Sequence, residues 1–245
     1  MGHLIKSFRG RNNTSSCYLN LLWNENKIYV MDNHLIASWC WLRKIDLTKE
    51  YSLVHIDRHY DYYDTYGNPT PWDQWIKASF NLQQASLSEA NFKDNLEETN
   101  SLKSEVLLYD NYINVFEDLH PGTLTEFQFF THQENSYNLG CKASKINEGT
   151  FEELMNSKFD TVNKNYILNL DLDYFCKSDD FIMDSNDVIN NVAKLIKDNI
   201  DAFEVITIAM SPDFFTSKGS DWEEAKRVLK LFTDILEIPF PHQDI

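Results

Sequence analysis

No stretch of this chain approaches the roughly 18 consecutive apolar residues of a membrane-spanning helix. The opening segment, Met1 to Gly10, lacks a long apolar core and a small-residue cleavage site, so no secretion signal is expected. Met1-Gly2 begins like a myristoylation site, but Lys6 stands where Ser or Thr is required. Cysteine is sparse, and Cys17, Cys40, Cys141 and Cys176 form no Cys-x-x-Cys pair. Reduced thiols in a cytoplasmic setting are the expectation. The Asn-x-Ser/Thr patterns at Asn12 and Asn13 carry no weight without secretion. Basic residues are outnumbered, 22 Lys and Arg against 38 Asp and Glu, which leaves a net charge of −16. Nucleic acid is disfavoured as a partner, because phosphate contacts need a positive face. The same field attracts a cationic substrate, or simply keeps the protein soluble.

What is present is enough for a substantial core. Apolar residues make up 42% and aromatics 14%, which argues against disorder. With no internal repeat and no dividing linker, residues 1–245 are read as one domain. Tyr18 to Trp23 and Lys27 to Met31 are expected as neighbouring strands around Asn24-Glu25-Asn26. Leu35 to Leu42 reads as a helix capped by Asp32 or Asn33. Tyr51 to Ile56, Glu105 to Tyr109, Glu126 to Phe130, Tyr166 to Leu170 and Val205 to Met210 are strand candidates. Helices are expected from Trp72 to Phe80, weakly from Leu87 to Leu96, from Val188 to Ile200, and from Trp222 to about Leu236 behind an Asp221 cap. Residues 132–150 are polar and poorly patterned. The alternation implies an α/β fold, a mostly parallel central sheet covered by helices on both faces.

The chemistry concentrates at strand ends. Val54-His55-Ile56-Asp57-Arg58-His59-Tyr60-Asp61 places Asp57, His59 and Asp61 at alternate positions behind an apolar strand. Alternate residues of an extended segment face one side, whereas Arg58 faces away. Asp171-Leu172-Asp173 follows a second strand, and His34 a third. Taken singly, such residues are ordinary surface polarity or helix caps. Together, His34, Asp57, His59, Asp61, Asp171 and Asp173 suit two hard divalent ions, which take oxygen and imidazole ligands and lower the pKa of bound water to about 7. Four carboxylates balance two dications.

The order His, Asp-x-His-x-Asp, Asp-x-Asp resembles the arginase–deacetylase superfamily. Within it, the chain looks like the arginase-like family that includes peptide arginases of ribosomal peptide maturation. Asp32-Asn33-His34, His55 to Asp61, Leu170 to Phe175 and Ile208 to Asp213 carry that likeness. The resemblance implies a three-layer α/β/α arginase-like fold and two manganese ions. His34 and Asp61 would bind one ion, His59 and Asp173 the other, and Asp57 and Asp171 would bridge. It further implies a ureohydrolase acting on the C–N bond of a linear amidine. The substrate would be an arginine-containing precursor peptide, converted to ornithine and urea.

Two features depart from familiar arginases. Residues 62–80 contain no His to shuttle a proton, which leaves Asp64, Asp73 or a distant His, with His132 the best placed, or solvent. His132 reads more readily as an ordinary loop residue. For a guanidinium-holding carboxylate the candidates are Asp213 and Glu126, although Ser-Pro-Asp is also a good turn. Tyr60, Tyr62, Tyr63, Tyr66, Trp72 and Trp75 either line a peptide groove or pack their loop on the core. Cys176 reads as a buried structural thiol. A deacetylase or a small-molecule ureohydrolase on the same fold is the alternative, as is a non-catalytic binding module. The sequence has no adjacent His pair of the deacetylase kind, and it carries the extra ligands His34, Asp61 and Asp173.

Overall fold

A computed structural model of the chain describes residues 2–8, 10–11, 19–62, 81–87, 107–132, 145–160, 162–177, 182–215 and 221–245. The helices expected over 72–80 and 87–96 lie essentially outside these residues. So do Asp64, Asp73, Tyr63, Tyr66, Trp72, Trp75, Cys17 and Cys141.

Ten strands are described. They are β1 (His3–Lys6), β2 (Leu22–Glu25), β3 (Ile28–Met31), β4 (Tyr51–Ile56), β5 (Leu124–Phe130), β6 (Ile146–Glu148), β7 (Tyr166–Asp171), β8 (Cys176–Lys177), β9 (Ile182–Met183) and β10 (Phe203–Ala209). Eight form one sheet in the order β1-β2-β3-β10-β7-β4-β5-β6, while β8 and β9 make a separate hairpin. From β3 to β6 every neighbouring pair is parallel; only β1 with β2 and β2 with β3 run antiparallel. The β2–β3 hairpin turns at Asn26, whose φ of 51° is left-handed, a conformation Asn adopts more readily than most residues.

Among the described residues five α-helices cover the sheet: α1 (Ala37–Trp41), α2 (Tyr112–Leu119), α3 (Phe151–Met155), α4 (Asn186–Asp198) and α5 (Trp222–Leu236). Residues of α1 and α2 pack into one buried apolar cluster with Leu53, Phe127 and Ile167. Residues of α3, α4 and α5 pack into another with Val54, Leu168 and Ile206. Alternate residues of the same strands thus feed two cores, so apolar side chains run continuously along the central strands. Helices lie on both faces of a mostly parallel sheet, in three layers.

Caps explain several boundaries. Asp221 accepts from the Glu224 N–H at 2.9 Å and starts α5, as expected. Ser185 does the same for α4, and Thr150 forms a reciprocal capping box with Glu153 for α3. Asn33, not Asp32, caps the segment after β3, which opens as a 3-10 turn over His34–Ile36 before α1. Asp32 instead accepts from the backbone N–H groups of Asn20 and Leu21. The expected strand over Glu105–Tyr109 does not form in its described part: Leu107–Asn111 is a turn leading into α2, closed by Leu108 N donating to Asn111 Oδ1 at 2.7 Å.

Candidate metal centre

Parallel strands end together, so their following loops share one edge. The loops after β3, β4 and β7 carry His34, Asp57–Asp61 and Asp171–Asp173. Those after β10 and β5 carry Asp213 and His132.

The ligand motifs converge through turns rather than strand alternation. β4 stops at Ile56 and β7 at Asp171. Asp57 Oδ1 then accepts from the His59 N–H at 2.7 Å, and Asp171 Oδ1 from the Asp173 N–H at 3.1 Å. Each is an Asx-type turn, which spends one carboxylate oxygen on the backbone and leaves the other facing the cluster. Asp61 closes its motif with a left-handed φ of 49°.

All six expected ligands meet. His34 Nδ1 lies 2.5 Å from Asp171 Oδ2 and 3.8 Å from Asp57 Oδ2, and His34 Nε2 lies 2.8 Å from Asp61 Oδ2. His59 Nδ1 lies 3.2 Å from Asp173 Oδ2 and 3.5 Å from Asp57 Oδ1. Three groups have ligand atoms within 4.8 Å of one another: His34–Asp57–Asp171, Asp57–His59–Asp173 and His55–Asp57–Asp61. The first two match the expected sharing of Asp57. Asp61 departs from expectation, because it approaches the opposite ring nitrogen of His34 and groups with His55.

His55 was not foreseen as a member, since its place within β4 reads as core. A hydrogen-bond chain fixes its proton. The Trp41 indole can only donate, and it donates to Thr207 Oγ1 at 3.2 Å. Thr207 donates to Asn169 Oδ1 at 2.8 Å, so Asn169 Nδ2 faces His55 Nδ1 at 3.1 Å and the Tyr112 hydroxyl at 2.8 Å. His55 therefore accepts at Nδ1 and donates from Nε2 to the His59 carbonyl at 3.2 Å. Burial holds it neutral, with its pKa lowered to about 4. With Nε2 already donating, His55 orients the Asp57–Asp61 turn.

Electrostatics test whether these residues suit cations. All four carboxylates are buried, Asp57, Asp171 and Asp173 completely. Burial, then the charges of Asp61, Asp173 and Asp171, push the Asp57 carboxyl well above the usual range. Burial and Asp171 also raise Asp173. Burial works against a charged His34, but Asp61 and Asp171 outweigh it and raise its pKa well above normal. Asp57 Oδ2 and Asp173 Oδ1 make no hydrogen bond. Buried oxygens without donors, among crowded carboxylates, are what a divalent cation satisfies. The Arg58 side chain is buried, with its guanidinium 3.5 Å from the Phe214 carbonyl.

The remaining candidates separate. Asp213 is half-buried in the 3-10 turn Pro212–Phe214. Just before it, Ser211 has a left-handed φ of 42° and donates to Asp171 Oδ2 at 2.5 Å. Phe214 packs edge-on to His59. His132, after β5, donates from Nε2 to the Tyr174 carbonyl at 2.7 Å and stacks on the Tyr174 ring. Glu126 is corrected. It pairs in register with Ser52, near the N-terminal ends of β5 and β4, and its carboxylate is held by Lys164 at 2.6 Å and 2.7 Å. A strand's length separates it from the ligands. Tyr60 and Tyr62 are buried, donating to Glu148 and Glu117, in keeping with packing. Cys176 is buried, with its thiol donating to the Phe215 carbonyl.

Comparison of the sequence with models of known protein families and with functionally characterised proteins finds no match to either.

Proposed function

We propose that this chain is a ureohydrolase with a dinuclear manganese site on an arginase-like fold. It would convert arginine residues of a precursor peptide to ornithine with release of urea, in a cytoplasmic setting. The observation that carries this reading is the convergence of His34, Asp57, His59, Asp61, Asp171 and Asp173 on one buried cluster, with Asp57 Oδ2 and Asp173 Oδ1 lacking hydrogen-bond donors. The peptide substrate is supported by the motif resemblance, and a cationic substrate also by the acidic balance of the chain.

His34 would hold one ion and His59 with Asp173 the other, and Asp57 stands between. When bound, the ions supply Lewis acidity and a water ionised near neutral pH. The chain's own groups then have defined tasks. Asp57 and Asp171 are aimed by their Asx turns, and Ser211 holds Asp171 from behind. Asp213, in the turn beyond β10, would hold the guanidinium, which stays charged at neutral pH. Hydrolysis adds water at the guanidinium carbon and breaks its bond to the side-chain nitrogen. Urea leaves, and the departing amine needs a proton. With His132 Nε2 donating to Tyr174, Nδ1 is left as the basic nitrogen able to carry it.

The test uses purified, manganese-loaded protein with arginine-containing peptides of varied sequence, followed by mass spectrometry. A product lighter by the mass of cyanamide is expected. Its absence across the whole set sinks the arginine reading. Metal counting separates the alternative, because one zinc per chain would favour a deacetylase over two manganese ions.

A further inference from the structure

Asp110 belongs to none of the ligand motifs, yet it lies beside the cluster. It precedes α2 by two residues. Two residues further on, Tyr112 stacks on His34 with ring centroids 5.2 Å apart, and its hydroxyl is 3.5 Å from Asp61 Oδ2. On the other side, the Tyr109 ring packs on Phe214 at 5.6 Å, and Phe214 on His59 at 5.5 Å. Tyr109 and Asp110 therefore bridge from the β10 turn to α2 across the ligand edge. The Leu108–Asn111 turn is closed by its own hydrogen bonds, so the Asp110 carboxylate is placed by rigid backbone.

One carboxylate oxygen, Asp110 Oδ1, is shut off from solvent and has no hydrogen-bond partner. An unpaired buried acceptor is costly, and a charged one more so. Burial and the nearby Asp61 charge push this carboxyl up to about 6, so it remains largely ionised at neutral pH. Among the described residues no cation lies within ion-pair distance of it, and the His34 charge offsets the repulsion only in part. The aromatic neighbours Tyr109 and Phe214 offer ring faces and edges of the kind on which a planar guanidinium stacks.

We propose that Asp110, whose neighbour Tyr109 packs on Phe214, is a specificity-determining residue that receives the substrate's cationic side chain, taking an N–H of the guanidinium on the accessible part of its carboxylate. The assignment rests on the arginine-directed reading above. A guanidinium has donors enough for two carboxylates, so Asp110 and Asp213 can hold it from two sides.

The experiment is calorimetric titration of the manganese-loaded full chain with N-acetyl-arginine amide and with N-acetyl-citrulline amide, a neutral compound of nearly the same shape. Wild type is expected to prefer the arginine compound. Asp110→Asn should lose about 10- to 100-fold of that preference, the worth of a charge-assisted hydrogen bond. Asp110→Glu should recover part of it. Manganese stoichiometry and far-ultraviolet circular dichroism should be unchanged in both variants, which establishes that fold and metal centre survive. An intact preference in Asp110→Asn overturns the role of Asp110 alone. No preference in metal-loaded wild type overturns the arginine reading, and this assignment with it.

Discussion

Asp57 belongs to all three groups of candidate ligands, so the centre depends on it more than on any neighbour. Its carboxylate is also the most crowded, raised by burial and by three other carboxylates. Two opposite effects follow for Asp57→Asn. Manganese binding, measured by elemental analysis after gel filtration, should fall from two ions to one or none. The metal-free variant should melt higher than metal-free wild type, because a buried like-charge repulsion is gone. A variant that keeps both ions would show that Asp57 does not bridge. His59 gives a pH test at the same scale. Burial disfavours its charge, but Asp173 and Asp57 hold its pKa up to about 12, against an ordinary 6.5. In metal-free protein the His59 pairing therefore stabilises the fold fully below about pH 6.5 and is lost progressively as pH rises toward 12. A cation requires neutral imidazole, so manganese must expel this proton, and apparent affinity should rise with pH. Calorimetry at pH 7 in two buffers of different ionisation enthalpy should show net proton release. Identical heats in both would refute it.

At the scale of elements, edge geometry sets a third prediction. The turn after β6 brings Gly149 against β5: its N–H donates to the Phe129 carbonyl at 2.8 Å, and a Cβ there would sit 2.4 Å from the Phe130 ring. Phe130 cannot yield freely, because it lies in β5 with its ring buried in the core. Gly149→Ala should destabilise the protein by about 1–3 kcal/mol, read by urea denaturation, while manganese stoichiometry stays at wild-type values. The same edge shows what the sequence conceals. The central strands and α5 were legible because apolar runs and the Asp221 cap announce them. β6 was not, since a three-residue edge strand with one half-buried Ile and two exposed polar side chains is too short to show a period. The helix α2 carried a signal, apolar residues at Tyr112, Ile113, Val115, Phe116 and Leu119, that stood in the shadow of the strand expected over Glu105–Tyr109. The six residues that meet in the buried cluster were legible from residue type and order alone. His55 and Asp110 were not, because a His within a buried strand and an Asp in a turn are ordinary in sequence, and only the fold brings His55 against Asp61 and Asp110 within reach of its charge.

For the molecule as a whole, the strain of the centre predicts how stability depends on metal. Four buried carboxylates and two non-glycine residues in left-handed backbone, Asp61 and Ser211, meet at one sheet edge. The loops after β3, β4, β7 and β10 all contribute, so four strands that are far apart in sequence are tied together there. A cation bound only by the folded chain stabilises it by mass action, about 2.7 kcal/mol at a free concentration of 100 times the dissociation constant. For a chain of this size each kcal/mol moves the melting temperature by roughly 2–4 °C. Saturating manganese should therefore raise Tm by about 5–10 °C for each site filled, and excess EDTA should return it to the metal-free value. The same titration on Asp173→Ala should show a smaller rise, because one group of ligands is broken while His34, Asp57 and Asp171 remain. A Tm that does not respond to manganese, zinc or any other divalent ion would mean that the buried carboxylates are balanced in another way, and the metal reading of this centre would fall.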